Sequence, residues 1–463
     1  MTSPPPPNSG GKWPVRSTIV AAAAAILAAG MLFGAALWIM AGIVVLTTIG
    51  VSYAVANHQD GAAVVTRSGG DVTVGVGSKI PVTVRVTNPT HWPIAWVLVE
   101  DISPVFATTS ASAYAPPIQF DGQRLGVCWI PAGGHREWTY TVDCHRRGYM
   151  QLGPTVVETG DWLGLFRRFS VAGRPTYVTV LPTIETIDGY DIGSRRPIGE
   201  IRLRHRSMDD PTRIRGIRQW QIGDPMRSVH WAATARTGTL HTKLYEPSSI
   251  IGATIVLDMH TESNPAAGEP VRCDLAISAA ASIAHHLMQS GEPFALVTGA
   301  RDAADRLRQT PVRTASDKPD GGATAFRRRS RASTAGRMSG DNDRRRPIVI
   351  QPDKTPIHYR SMIQTLARLE RSDALTLPEL LTECESQIAA DTTLLIILQT
   401  ADESAIAAIL SMARRGRAVE VIINTHDTES HARIAAPLDA AHIATHHLRD
   451  RSAIQTICRQ LTP

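Results

Sequence analysis

The chain has 463 residues, of which 43% are hydrophobic and 19% are charged, a composition that suits two or three globular domains. Its net charge of +6 is local, because residues 301–346 carry 13 Lys or Arg against six Asp and the rest is close to neutral. Five cysteines without a Cys-x-x-Cys spacing argue against a disulfide scaffold and a zinc site.

The N-terminal part of the chain predicts a membrane anchor. Residues 1–16 are Pro-rich and polar, which predicts disorder, and residues 17–57 contain no charged residue. A helix of about 40 residues would reach roughly 60 Å, twice the thickness of a bilayer core. We therefore expect two transmembrane helices that turn near Gly34. Lys12 and Arg16 mark the preceding side as cytoplasmic, so the domains that follow should face the cytoplasm.

The opposite topology stays open, because a single tilted span would export the domains that follow it. Cys128 and Cys144 could then pair. A reducing compartment is the simpler interpretation of so few cysteines.

Residues 61–182 predict an antiparallel β-sandwich of the immunoglobulin type. Short runs such as Ile80–Val86 and Trp96–Glu100 are rich in β-branched or alternating residues, and Gly, Asn-Pro and Ser-Pro turns separate them. An Asp-Trp-Leu-Gly-Leu-Phe turn follows at 161–166. Exposed loops of this domain could hold a partner, or the domain could be a rigid spacer above the membrane.

The segment 183–247 begins as a polar, basic connection and then packs two tryptophans, several arginines and one histidine into residues 218–238. Asp224 is predicted to cap a helix, with Pro225 at its first position. The helix should run over 226–235 and stop at Gly238. A strand is predicted at 240–245.

This segment resembles the signature of the domain-of-unknown-function 58 family. The matching residues are Arg218, Trp220 (where Tyr is usual), Gly223, Asp224, Arg227, Val229, His230, Trp231, Ala235, Arg236, Lys243 and Tyr245. The resemblance implies a membrane-anchored protein with a β-rich domain before the signature and a von Willebrand A-like α/β domain after it. It also implies an association with MoxR-type AAA+ ATPases.

The resemblance favours a non-enzymatic adaptor or assembly factor in envelope-related processes, with the signature as a docking and structural core. Two alternatives stay open. One is a membrane scaffold without an ATPase partner, and the other is an enzyme that uses Asp224 and His230 for acid–base chemistry. An enzyme would bring these side chains together in an open pocket, whereas a docking core would bury Trp231 and pair the arginines.

Residues 248–463 predict the α/β domain, because apolar strands such as Ala253–Asp258 and Thr393–Leu398 alternate with helical stretches such as Cys273–Gln289. Helices are also expected at 377–389 and at 453–461. A mostly parallel sheet follows from this alternation, so the whole chain is expected to be a multidomain α+β protein.

A metal-ion-dependent adhesion site would place Asp-x-Ser-x-Ser after the first strand of such a domain, because hydroxyl and carboxylate oxygens suit Mg²⁺. The matching positions hold Asp258, His260 and Glu262, and Ser263 lies one residue late. Thr400 and Asp402 follow a later strand. Asp258 and Asp402 are therefore candidate Mg²⁺ ligands. The alternative is a degenerate site whose edge makes protein contacts.

Two further stretches invite a functional interpretation. The Arg-rich insert, residues 301–346, lacks apolar periodicity and predicts a disordered loop in contact with solvent, lipid or acidic protein. Nucleic acid is not expected to bind, because Phe326 is its only aromatic residue. His442 and His446 have a helical metal spacing, but 443–448 could equally be a strand. No phosphate-binding loop or nucleophile elbow is recognisable, so neither catalysis nor a cofactor beyond Mg²⁺ is expected.

Overall fold

A computed structural model of the chain describes residues 15–102, 116–188, 209–221, 224, 226–247, 252–306, 325–326, 329–338, 342, 344–389 and 392–457. Of the segment 1–16 that was predicted to be disordered, residues 1–14 lie outside the described residues, and Val15 and Arg16 belong to the helix Val15–Leu32, which corrects the prediction for these two residues. The chain forms two compact units. The first unit comprises Met1–Val180 and Arg306–Asp341, and the second comprises Leu181–Asp305 and Asn342–Pro463.

Helices and strands alternate in an α+β pattern over the described residues. The α-helices are α1 (Val15–Leu32), α2 (Ala36–His58), α3 (Trp231–Thr237), α4 (Val271–Ser290), α5 (Arg329–Gly336), α6 (Pro356–Arg368), α7 (Leu377–Glu383), α8 (Glu403–Arg414) and α9 (Thr428–Asp439). The strands of the first half are β1 (Val64–Arg67), β2 (Val72–Gly75), β3 (Lys79–Thr87), β4 (Ile94–Asp101), β5 (Ile118–Asp121), β6 (Leu125–Ile130), β7 (His135–Cys144), β8 (Gly148–Leu152), β9 (Thr155–Gly160), β10 (Arg167–Ala172) and β11 (Thr176–Leu181). The remaining strands are β12 (Asp209–Gln219), β13 (His241–Pro247), β14 (Ala253–Leu257), β15 (Phe294–Thr298), β16 (Arg301–Asp302), β17 (Ala325–Phe326), β18 (Ile348–Asp353), β19 (Leu369–Glu370), β20 (Thr393–Leu398), β21 (Val419–Ile423) and β22 (Ala444–His447).

The first unit begins with two apolar helices that pack against each other. Gly34, at φ +60°, lies in the turn between α1 and α2, where the turn was predicted. The helices approach closely at two glycines: a Cβ on Gly30 would lie 2.8 Å from the backbone N of Ile39, and one on Gly42 would lie 2.8 Å from Leu27 Cβ. Of the described helices, α2 alone, with 23 residues, is long and apolar enough to cross a membrane. The apolar stretch of α1, Val20–Leu32, is shorter.

A β-sandwich-like region makes up the rest of the first unit. Its sheets have the strand orders β1-β3-β7-β5, β17-β10-β9-β4-β6 and β2-β11-β8, and the pairings within them are antiparallel. Alternate residues of these strands face a common apolar core, as the period-2 sequence pattern predicts. Arg67 and Asp101 form an ion pair in this core, and the Tyr140 hydroxyl donates a hydrogen bond to Asp101. Cys128 and Cys144 are both free thiols.

Part of the Arg-rich insert is folded, which corrects the prediction of disorder for residues 301–306, 325–326 and 329–336. Strand β17 pairs with β10, and α5 buries Ala332 against Ile102 and Val156. The Gln151 amide donates to the Gly336 carbonyl at 2.6 Å. The sequence did not predict this packing, because only two small residues and one aromatic residue of the insert face the sandwich, and many arginines surround them. Residues 307–324 lie outside the described residues.

The second unit contains a six-stranded, mostly parallel sheet of order β18-β15-β14-β20-β21-β22, in which only β18 runs antiparallel to its neighbour. Strands β14, β15, β20 and β21 are buried along their whole length, which explains their unbroken apolar sequences. Helices α4 and α6 cover one face and α7, α8 and α9 cover the other.

Several element boundaries differ from the predictions. Helix α7 ends at Glu383, six residues before its predicted end, and a 3-10 helix at Arg451–Thr456 stands where the start of a final α-helix was predicted. Helix α9 was not predicted, because Pro437 interrupts its sequence pattern. In the stretch predicted to be an extended connection, residues 209–217 belong to strand β12.

Candidate functional site

The signature segment folds into a β-hairpin whose connection carries a short helix. Strands β12 and β13 pair antiparallel, with Arg218 opposite Thr242 and Gln219 opposite His241. Between them come a 3-10 turn at Met226–Ser228 and helix α3. Among the signature residues, Gly223 and the side chains of Arg227 and Tyr245 lie outside the described part of the chain.

Asp224 closes the loop that follows β12 rather than capping a helix, which corrects the prediction. Its Oδ1 accepts a hydrogen bond from Arg218 Nη2 at 2.7 Å, and its Oδ2 accepts one from the Gln221 backbone N–H at 3.0 Å. The Trp220 indole donates to the Asp224 carbonyl at 3.2 Å. The Gln221 N–H and the Arg218 guanidinium lower the pKa of Asp224, so it is an anion and a poor proton donor at neutral pH.

His230 is the residue that caps α3. Its Nδ1 accepts the Ala233 backbone N–H at 3.0 Å, and the helix starts at Trp231 rather than at residue 226. The predicted helix is interrupted because Val229 forms a β-bridge with Thr242. Gly238, at φ 72°, ends the helix as predicted. No hydrogen bond joins Asp224 and His230 in the described part of the signature.

The surface of the signature hairpin is apolar and basic. Trp231 is 64% exposed and Met226 is 59% exposed, and Arg236 points to solvent on the same short helix as Trp231. The expectation that a docking core buries Trp231 is therefore wrong, whereas Arg218 is paired as expected. Exposed aromatic and arginine side chains are the residue types that dominate binding interfaces.

Replacing His230 tests its capping role. We expect His230→Ala to cost about 1 kcal/mol of local helix stability, because the first turn of α3 loses its side-chain acceptor. Amide hydrogen exchange of residues 231–237 should accelerate roughly fivefold, the factor that corresponds to this energy. His230→Asn, which keeps a capping acceptor, should retain protection. Equal acceleration in both variants would contradict the capping role.

The second candidate site is the carboxyl edge of the parallel sheet. In a doubly wound sheet, ligands bind where neighbouring strands continue in opposite directions, outside their carboxyl ends. Here that point lies between β14 and β20, which are parallel neighbours. Asp258 directly follows β14, and Thr400 and Asp402 follow β20, so the predicted metal candidates do lie at this edge.

Asp258 is buried, and residues of the loop that follows it donate hydrogen bonds to its carboxylate. Its Oδ1 accepts the His260 backbone N–H at 3.0 Å, and the Ser263 side chain also hydrogen-bonds to the carboxylate. Burial raises the pKa of Asp258, hydrogen bonds from the His260 backbone N–H and the Ser263 side chain lower it, and the nearby negative charge of Asp402 raises it.

The other donors at this edge already have partners. Asp402 caps α8: its Oδ1 accepts from Ala405 N at 2.9 Å and its Oδ2 from the Ser404 hydroxyl at 2.8 Å. The Thr400 hydroxyl donates to the Ser263 carbonyl at 2.8 Å. No cluster of three His, Cys, Asp or Glu that could hold a metal ion occurs in the described ranges. These residues do not fit the oxygen-rich octahedral shell that Mg²⁺ requires.

Sequence reasoning missed the side chain that holds the loop after Asp258. Asn264 is buried, and its amide donates to the carbonyls of Asp258 at 3.2 Å and His260 at 2.9 Å. Arg371 donates to the Asn264 carbonyl at 3.0 Å. A single Asn in a polar loop carries no pattern that would have identified it.

The histidine pair considered for metal binding is not on a helix. His442 lies in a turn at φ 58°, and His446 lies on β22, so the strand alternative is confirmed. His446 Nε2 is 2.9 Å from Glu420 Oε2 on the neighbouring strand β21. This partner explains why a histidine is buried there.

The pH dependence of stability tests the state of Asp258. With a raised pKa, this carboxyl contributes stability that is present below its unfolded pKa of about 3.9 and is lost as the pH rises through the folded pKa. We expect the melting temperature of the wild type to rise relative to Asp258→Asn as the pH falls from about 8 toward the unfolded pKa of about 3.9. Asp402→Asn is the matched control.

Asp402 should show no such trend between these pH values, because its pKa is lowered by the Ala405 N–H and the Ser404 hydroxyl. The measurement is thermal unfolding with and without MgCl₂. A stabilisation by Mg²⁺ that Asp258→Asn removes would contradict the conclusion that these residues do not fit the ion.

Comparison with known families and proteins agrees with the signature segment. The model of a family described as "Protein of unknown function DUF58" matches residues 216–318. The uncharacterised protein YeaD of Bacillus subtilis (strain 168) is 24% identical over 225 residues, which cover 46% of this chain. The match spans 50% of YeaD, about half the length of that relative.

Solved structures give only remote likenesses. The ASH/PapD-like domain of human CEP192 is 10% identical, with a TM-score of 0.18, and the match covers 26% of this chain and 86% of that one. Salmonella alpha-2-macroglobulin reacted with methylamine is 12% identical, with a TM-score of 0.20, and the match covers 27% and 7%. Such low TM-scores support no conclusion about fold or function.

Proposed function

We propose that this protein is a non-enzymatic, membrane-anchored adaptor or assembly factor that acts with a MoxR-type AAA+ ATPase in envelope-related processes. The observation that carries the proposal is the exposed signature hairpin, in which both Trp231 and Arg236 on α3 are exposed to solvent. The match to the DUF58 family model, which includes most of this hairpin, supports the resemblance on which the proposal rests.

The anchor is a two-span hairpin of α1 and α2. Support comes from the length and apolar composition of α2, from its exposed apolar side chains, and from the close packing of α1 at Gly30 and Gly42. Small residues at such contacts are typical of helices that associate in lipid. By the positive-inside rule, Lys12 and Arg16 keep both soluble units in the cytoplasm.

The second unit is a von Willebrand A-like domain that has lost its adhesion-type metal chemistry. The mostly parallel sheet with helices on both faces and the position of Asp258 after the first strand support this assignment. His260 and Glu262 stand in place of the serines. The carboxyl edge of the sheet then serves protein contacts rather than Mg²⁺ binding.

An enzymatic role for the signature has less support. Asp224 is held as an anion by Arg218 and Gln221, and His230 Nδ1 is occupied by the Ala233 N–H. General acid–base catalysis requires a titrating group within reach of a substrate proton. A membrane scaffold without an ATPase partner stays the second candidate.

An affinity pull-down from the native host tests the adaptor proposal. The detergent-solubilised protein is captured with and without a non-hydrolysable ATP analogue and analysed by mass spectrometry. We expect an AAA+ ATPase whose recovery depends on the nucleotide. Arg236→Ala should lower that recovery about tenfold or more, because an interface arginine that anchors binding contributes about 2 kcal/mol.

The matched control is Arg360→Ala, which removes an equally exposed arginine from helix α6 outside the signature. This variant should recover the ATPase as the wild type does. Folded, membrane-inserted protein that recovers no AAA+ ATPase in either nucleotide state would overturn the adaptor proposal and favour the scaffold.

A further inference from the structure

The Asp161-Trp162-Leu163-Gly164-Leu165-Phe166 turn, here called the Trp162 loop, is rigidly built by its first residue. Asp161 is fully buried, and its carboxylate accepts the backbone N–H groups of Phe166 at 2.6 Å and Leu163 at 3.1 Å. Its carbonyl accepts the Trp96 indole N–H at 2.9 Å. Gly164, at φ +70°, completes the turn. The loop conformation is therefore fixed before any partner binds.

This rigid loop presents large apolar side chains to solvent. Trp162 is 76% exposed and Leu163 is 61% exposed. A second exposed tryptophan, Trp92 at 68%, lies on the loop between β3 and β4. The buried hydrogen bonds of Asp161 thus hold Trp162 and Leu163 in an exposed position that the hydrophobic effect disfavours in water. Exposed apolar patches of this kind mark binding surfaces.

Both loops lie at the same end of the sandwich. Strand β4 begins just after the Trp92 loop and β9 ends just before the Trp162 loop, and the two strands pair antiparallel with Val97 opposite Thr159. The start of β4 therefore lies beside the end of β9. The opposite end of β3, where Val76 lies, is about 30 Å away, since β3 is nine residues long.

Helix α2 ends between these loops. The ring of Tyr53 in α2 contacts Phe166 with 5.5 Å between centroids, and His58 lies 6.3 Å from the Trp92 ring. The Gln59 amide donates to the Pro93 carbonyl at 3.4 Å. The loops and the C-terminal end of the apolar helix are thus parts of one surface.

The order of contacts along α2 gives the direction of the Trp162 loop. Arg168, in β10, donates to the Asn57 side chain at 3.4 Å and its guanidinium lies 5.9 Å from the centre of the Tyr53 ring, while Phe166 contacts Tyr53 with 5.5 Å between centroids. Tyr53 lies about 6 Å nearer the apolar middle of α2 than Asn57 does. From Arg168 through Phe166, the chain therefore runs toward the apolar part of the helix, and Trp162 and Leu163 follow.

We propose that the Trp162 loop inserts Trp162 and Leu163 into the interface of the bilayer that α2 crosses, so that the sandwich lies on the lipid surface. The occupant of this surface is lipid at the boundary between headgroups and acyl chains, where tryptophan is enriched. Trp92 lies in the headgroup layer and Arg168 lies near the lipid phosphates. The inference rests on the proposed membrane anchor and is independent of the ATPase partner.

Tryptophan quenching by brominated lipid tests this insertion. Full-length wild type, Trp162→Phe and the double variant Trp162→Phe/Val76→Trp are reconstituted in vesicles of phosphatidylcholine brominated on the acyl chains near the headgroups. The difference in emission between wild type and Trp162→Phe gives the signal of Trp162, since all other tryptophans are shared. We expect this signal to lose most of its intensity in brominated vesicles compared with unbrominated ones.

The double variant is the matched control, because position 76 lies at the far end of the sandwich. Its added tryptophan should keep its intensity in brominated lipid. Unquenched Trp162, or equal quenching at positions 162 and 76, would overturn the insertion. Alkaline carbonate extraction of the same vesicles shows whether a missing quenching signal comes from a missing anchor or a missing insertion. Protein that carbonate extracts has no membrane anchor. Protein that stays in the vesicles with unquenched Trp162 refutes only the insertion.

Discussion

The junction between helix α2 and the β-sandwich is the constraint on which the account of the first unit depends. The Thr159 hydroxyl donates to the Gln59 carbonyl at 3.4 Å, and the Phe166 ring contacts Tyr53. Because these contacts follow the last turns of α2 directly, the apolar helix and the strands β9 and β10 form one packed body. With the proposed membrane anchor, this packing would hold the sandwich at the lipid surface instead of tethering it through a flexible linker.

Local rules predicted much of this architecture. Apolar runs such as Thr393–Leu398 form central strands, because a continuous apolar run indicates a buried strand. Gly238 ends a helix, because glycine readily adopts the left-handed backbone conformation that ends helices. His230 took the capping role that was predicted for Asp224, since both side chains can accept a backbone N–H. Only the pairing of Val229 with Thr242 decides where α3 begins, and that pairing is not local.

Long-range contacts also account for the other differences. Ala332 is buried in the sandwich although its neighbours are arginines, and nothing in the Arg-rich insert shows that β10 is its partner. At the candidate site, sequence spacing correctly brought Asp258 and Asp402 to one sheet edge. It did not reveal that Asp402 is committed to capping α8, which leaves Asp258 buried without a second carboxylate to share a cation.

Site-specific photocrosslinking tests the central claim, that the signature hairpin docks an AAA+ ATPase, most directly. A benzophenone amino acid replaces Trp231 in one variant and Ile357, which is 82% exposed on α6, in a control. Irradiation in the native host should give an ATPase adduct from position 231 only, stronger in the ATP-bound state. The same adducts from both positions, or none from position 231 in folded, membrane-inserted protein, would contradict the claim.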